Sequence, residues 1–216
     1  MARTTILPVT LLALPSVLFG GRINQTATSA TLTASPVSSS TQISLNNEKL
    51  VVSESPTAPE KNPPGDIPDT QAFVTYTSQS GGYQLEVPEG WARQLKGSNV
   101  SFTDKFNGVQ VTVTNAIAAP TAKTTKTKQI VELEKSGRAV KVVKVKDVQL
   151  PSGKALLISY TSNSEPNEVT GKQIRLENNS YLFFKNGKLA TLRLFAPQGA
   201  DNADQWQRMS HSFKWL

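Results

Sequence analysis

The chain of 216 residues contains no cysteine, which excludes a disulfide framework, a thiolate nucleophile and every Cys-based zinc or iron–sulfur site. It contains one histidine, His211. With no second histidine and no Gly-x-Ser-x-Gly elbow, the usual nucleophile and base cannot be paired. His211 reads instead as a surface residue near a helix C-terminus, where a cation is compatible with the dipole. No Rossmann fingerprint occurs, and Gly171-Lys172 lacks the Gly-x-x-x-x spacing that precedes the lysine of a phosphate loop. The eleven acidic residues from Gln71 onward are scattered rather than set at the spacing of a calcium loop. Glu132 and Glu134 stand two apart and diverge on a helix. The expectation from these absences is a protein that is not an enzyme and has no cofactor and no metal site.

Aromatic residues are missing between Phe19 and Phe73. Of the 47 residues from Asn24 to Thr70, 25 are Ser, Thr, Pro or Ala, too little apolar surface to offset the entropy of ordering the chain. Ahead of this stretch, Ile6 to Phe19 is an uncharged apolar run behind Arg3, of a length that fits a signal peptide rather than a membrane span. The organisation expected is therefore a signal peptide over residues 1–30, a disordered tether over 31–70 and one domain over 71–216, exported from the cytoplasm.

Within the domain, alternation predicts strands and turn residues separate them. Tyr83, Leu85 and Val87 share one side of a strand that ends at Pro88-Glu89-Gly90-Trp91, and Phe73 to Ser78 precedes it across Gly81-Gly82. Val100 and Phe102 pattern a strand that Asn107-Gly108, read as a type I′ turn, returns into Val109, Val111 and Val113. Val142 to Leu150 and Ala155 to Tyr160 flank Pro151-Ser152-Gly153. Lys172 to Glu177, Tyr181 to Phe184 and Leu189 to Phe195 read as a three-stranded meander turned at Asn178-Asn179 and Asn186-Gly187. A helix is expected over Lys126 to Arg138, and a second after an Asp201 cap, with Ala203, Trp206, Met209, Ser210 and Phe213 on its inner face. Trp91, Phe102 and Trp206 are expected in the core, while Trp215 is expected to fray.

The run Gly82-Tyr83, Pro88, Gly90-Trp91, then Val100-Ser101-Phe102-Thr103-Asp104, resembles the PsbP-like family of extrinsic photosystem proteins. Trp206 with Ser212-Phe213 is similar to that family's closing helix. The resemblance spans roughly residues 73–216 and implies an α/β (α+β) fold, an α-β-α sandwich around a central antiparallel sheet. It implies a lumenal role in photosystem II assembly, or in holding the oxygen-evolving cluster, where the source is an oxygenic phototroph. Many bacterial members are lipoproteins, but the cysteine of the lipobox is replaced here by Gly21, so no lipid anchor carries over. Some members bind zinc, calcium or manganese through histidine and carboxylates, for which this chain has only His211 to offer.

Charge supplies the remaining signal. Residues 1–70 carry a net −1, and the domain carries +8. Lys126, Lys128, Lys135, Arg138, Lys144 and Lys146 fall close together and predict a basic face that docks on another protein or membrane complex, or on an anionic membrane surface. Lysines along an edge strand also protect it from pairing. Nucleic acid is not an expected partner, since no aromatic residues are interleaved for stacking, and a monomer is expected. The alternative function is a small-ligand or lipid-binding module with a cleft between sheet and helix.

Overall fold

A computed structural model describes residues 54–59 and 64–216. The expected signal peptide, and the tether up to residue 53, lie outside the described residues. The chain folds into β1 (Phe73–Ser78), β2 (Tyr83–Pro88), β3 (Ala92–Lys96), β4 (Asn99–Asp104), β5 (Asn107–Asn115), α1 (Ala122–Thr127), α2 (Gln129–Ser136), β6 (Lys141–Leu150), β7 (Gly153–Asn163), β8 (Arg175–Lys185), β9 (Lys188–Pro197), α3 (Ala203–Ser212) and β10 (Lys214–Trp215). Seven strands form one sheet in the order β3-β4-β5-β9-β8-β7-β6, and β1-β2-β10 form a second. Every pairing is antiparallel.

The large sheet buries both faces, because its central strands carry apolar side chains on one side and a shorter apolar patch on the other. On the first face, Ala190, Leu192, Leu194 and Ala196 of β9 lie beside Val109 and Val111 of β5, and under Leu85, Trp206, Met209 and Phe213. Both the small sheet and α3 therefore cover this face. Phe213 stacks on Phe183 with ring centroids 4.1 Å apart and on Tyr83 at 5.8 Å. Burial pushes the Tyr83 phenol up to about 12, and its hydroxyl donates to the Ser98 carbonyl at 3.1 Å. On the second face, Leu156, Ile158, Tyr160 and Leu182 form a smaller cluster, with Ala122 of α1 and Leu133 of α2 packed against it. Helices thus lie on both sides of a central antiparallel sheet, as the resemblance implies, with a three-stranded sheet sharing one outer layer.

Local details depart from the sequence reading where a distant partner intervenes. Asn107-Gly108 is not the turn: Asp104 pairs with Asn107 and Thr103 with Gly108, so the two-residue loop is Lys105-Phe106, and Lys105 takes the positive φ of 51°. Asn178-Asn179 is not a turn either but mid-β8, with Asn178 paired to Tyr160 and Phe195. The expected Lys126–Arg138 helix is broken at Lys128, whose φ and ψ of −121° and −72° leave the helical region. A Thr121–Thr124 capping box starts α1 earlier than expected, and the Thr127 hydroxyl donates to the Thr124 carbonyl where α1 ends.

At α3 the cap position belongs to Asn202, not Asp201. Its side chain is engaged elsewhere, accepting from the Ile67 amide at 2.6 Å and donating to the Gly65 carbonyl at 2.9 Å. Trp206, Met209, Ser210 and Phe213 are buried as expected, but Ala203 is exposed and Gln205 takes an inner place, donating to the Ile67 carbonyl. Phe102 is buried, whereas Trp91 is only half-buried. Trp215 pairs with Tyr83 in β10 and packs edge-on against Phe213, so the chain end is tied to β2. Ile67, within the stretch read as tether, is buried in the main core.

A candidate docking edge and a cleft beneath a helix

β6 ends the seven-stranded sheet, so one of its sides has no strand partner. Its register slips between Val142 and Lys144, leaving Val143 as the unpaired residue, 68 % exposed. The bulge decides where the lysines point. Without it Val142 and Lys144 would share a face; with it, Val142 and Val145 sit opposite Tyr160 and Ile158 and pack on the helix-hairpin side. Lys144 and Lys146 then sit opposite Ser159 and Leu157, and Lys146 lines a groove with Leu157, Tyr181, Trp206 and His211 on the α3 side.

The six basic residues do not share one face. Lys126, Lys128 and Lys135 are exposed on the α1–α2 hairpin, while Lys144 and Lys146 are exposed on the opposite side of β6. Together they wrap the free edge. None of these five lysines has a carboxylate within ion-pair distance among the described residues. Arg138 differs: its NH1 donates to Glu54 Oε2 at 3.0 Å and its Nε to Glu165 Oε2 at 2.9 Å. These carboxylates hold the Arg138 guanidinium above its ordinary pKa, Glu165 first and Glu54 next. Arg138 therefore anchors a chain segment and is not free to dock.

That segment, residues 54–59, is fastened by a side-chain hub that the sequence did not disclose. Asn163 donates to Glu54 Oε1 at 3.0 Å and to the Ser55 carbonyl at 2.9 Å, and its Oδ1 accepts from the Thr57 amide and from Arg175 NH1. Burial lowers the pKa of Arg175, whose other contacts are the Ala139 carbonyl and the Thr161 hydroxyl. The hydrogen bond from Asn163, then those from Gln173 and Arg138, hold the Glu54 carboxyl below its ordinary value, against the opposing effect of partial burial. A carboxylate lowered on folding stabilises the folded state above its unfolded pKa, and that contribution is lost as pH falls through the lowered value. Glu54→Gln should therefore have a lower Tm than the parent at pH 7, with the difference closing once the pH is brought below that lowered value. A Tm difference that persists unchanged at the lower pH would show that charge at Glu54 does not hold the segment.

Between α2 and the second face lies an open cleft of about 620 Å³. Its floor is a contiguous patch in which Ile158 pairs with Ser180 across β7 and β8, and Leu182 with Thr191 across β8 and β9. Its roof is Val131 and Leu133, with Lys128 and Glu132 at the helix side. No residue of α2 is fully buried; the helix touches the floor through the partly buried Leu133 and leaves the cleft open beside it. Gln129 also lines the cleft, and its Oε1 is buried with no hydrogen-bond partner. Periodicity showed α2's apolar side; it could not show the gap beneath.

Elsewhere on this face, Arg193 donates to Asn178 Oδ1 from Nε and NH2, and to Gln110 Oε1 from NH1, while stacking 4.5 Å above the Phe195 ring centroid. Glu177, half-buried against the opposite face, has its carboxyl pushed up by burial. Neither arrangement places a nucleophile beside a base. Among the described residues no three His, Asp or Glu side chains converge, and no helix is long and apolar enough to cross a membrane.

No curated protein matches the chain. Among solved structures it is similar to the cyanobacterial PsbP (CyanoP) of Synechocystis sp. PCC 6803, at 16 % identity over 72 % of this chain and 100 % of that one, with a TM-score of 0.48. It is also similar to the Ran-binding protein Mog1p of Saccharomyces cerevisiae, at 10 % identity over 68 % and 96 % of the two chains, with a TM-score of 0.45. The sequence profile of the PsbP family matches residues 71–215, which takes in both sheets, all three helices and the aromatic stack of Tyr83, Phe183 and Phe213. By that match the chain belongs to the PsbP family.

Proposed function

We propose that this PsbP-family chain is a non-enzymatic extracytoplasmic accessory protein that docks on an acidic surface of a protein or membrane complex. In an oxygenic phototroph the complex is photosystem II on its lumenal side, where the chain supports assembly or the oxygen-evolving cluster. The observation that carries this reading is the wrapped edge at β6: five exposed lysines on the two sides of an edge strand, none neutralised by a carboxylate among the described residues. Exposed like charges of this kind add little to folding, but they steer and hold an acidic partner.

Reversing Lys126, Lys128, Lys135, Lys144 and Lys146 to Glu should reduce retention on native membranes by about ten-fold or more while the Tm stays nearly unchanged. Retention of the parent should fall as salt rises, because the Debye length is only about 8 Å at physiological ionic strength. Arg138 is left intact in this variant so that the segment at Glu54 stays fastened. Equal retention of parent and variant would remove the docking edge.

A further inference from the structure

The cleft beneath α2 has the composition of a ligand site, and we propose that it binds a neutral apolar molecule carrying a single hydroxyl, an alcohol or phenol. Its volume of about 620 Å³ falls within the range of small-molecule pockets, about 300–1,000 Å³. The floor residues Ile158 and Leu182 are 3 % exposed, and with Val131 and Leu133 above they require an apolar body. Polar groups converge on this space without partners of their own. Gln129 Oε1 is a buried acceptor with no donor, which costs free energy unless a ligand supplies one. The hydroxyls of Ser180 and Thr191, on the floor, make no hydrogen bond to any described residue.

A ligand hydroxyl answers both needs. It can donate to Gln129 and offers its oxygen lone pairs to Ser180 or Thr191, as a carboxylate, which only accepts, cannot. The rim agrees with a neutral ligand: Lys128 and Glu132 border the cleft with opposite charges, so neither sign is selected. Val131 is 40 % exposed and α2 touches the second-face cluster through a partly buried Leu133, so room for a guest remains beside that contact. The site shares only Lys128 with the docking edge, and reversal of Lys144 and Lys146 on the far side of β6 should leave ligand binding unchanged.

The full chain can be titrated with 2-naphthol, with 2-methoxynaphthalene, which has the same body but no donor, and with 2-naphthoate. Amide chemical shifts of Ile158, Leu182 and Thr191 report the location. The phenol should bind there about five-fold more tightly than the ether, the advantage of one net hydrogen bond, and the anion should bind more weakly than the phenol. Gln129→Leu should abolish the preference of phenol over ether, and Val131→Trp, a substitution at a half-exposed helix position, should block both ligands while leaving the circular dichroism spectrum intact. Absence of shifts at the three amides, equal affinity for phenol and ether, or a preference that survives Gln129→Leu would each overturn the assignment.

Discussion

Phe213→Ala should lower the unfolding free energy by about 3–5 kcal/mol, the usual cost of truncating a large buried aromatic. For a domain of this size the Tm should fall on the order of 10 °C. Phe213 is 1 % exposed and sits where α3 gives way to β10, in extended backbone with φ and ψ of −60° and 131°. Its ring lies parallel to Phe183 of the large sheet and to Tyr83 of the small one, and meets Trp215 edge-on at 5.6 Å. One side chain therefore joins α3, both sheets and the chain end, and alanine leaves a cavity that none of these elements can close alone. Trp215→Ala should cost clearly less, because Trp215 is half-buried in a strand of two residues. Thermal and denaturant unfolding check the pair, and equal losses would show that the stack does not organise the core.

Gly108→Ala should destabilise by about 1–3 kcal/mol, although the residue lies inside an ordinary strand and not in a turn. A Cβ built there falls 2.0 Å from Phe195 Cζ and 2.2 Å from its Cε1, far inside contact distance. The ring cannot swing outward freely, since the Arg193 guanidinium lies over it and is itself held by Asn178 and Gln110. Relief of this clash predicts strong coupling: in a Phe195→Ala background, Gly108→Ala should cost little. Additive losses in that double-mutant cycle would mean that glycine is needed for its backbone freedom, as the turn reading of Asn107-Gly108 would have it. Asn107→Ala should be mild by comparison, because its buried Oδ1 has no partner to lose.

The alternation of Tyr83, Leu85 and Val87, and of Val109, Val111 and Val113, was by itself enough to set which side chains of β2 and β5 enter the core, because burial on one face admits only one parity. Pro151-Ser152-Gly153 and Asn186-Gly187 likewise marked the β6–β7 and β8–β9 hairpins, since turn geometry is local. The same local signals misled at Asn107-Gly108 and Asn178-Asn179. Those residues answer to partners far along the chain: Gly108 to the Phe195 ring, and Asn178 to Arg193 and Ser162.

The candidate sites were less legible for the same reason. Composition showed that the domain is basic and which lysines lie close in sequence, but a one-residue bulge at Val143 decided that Lys144 and Lys146 would face away from the helix hairpin. Nothing near Glu54 announces that Asn163, Gln173 and Arg138 fasten it, and nothing in the periodicity of α2 reveals a cleft below, where Gln129 meets Ile158, Leu182 and Thr191. Periodicity and turn chemistry act over a few residues and so can be read along the chain. The hub, the clash and the cleft join residues that only the folded packing brings together.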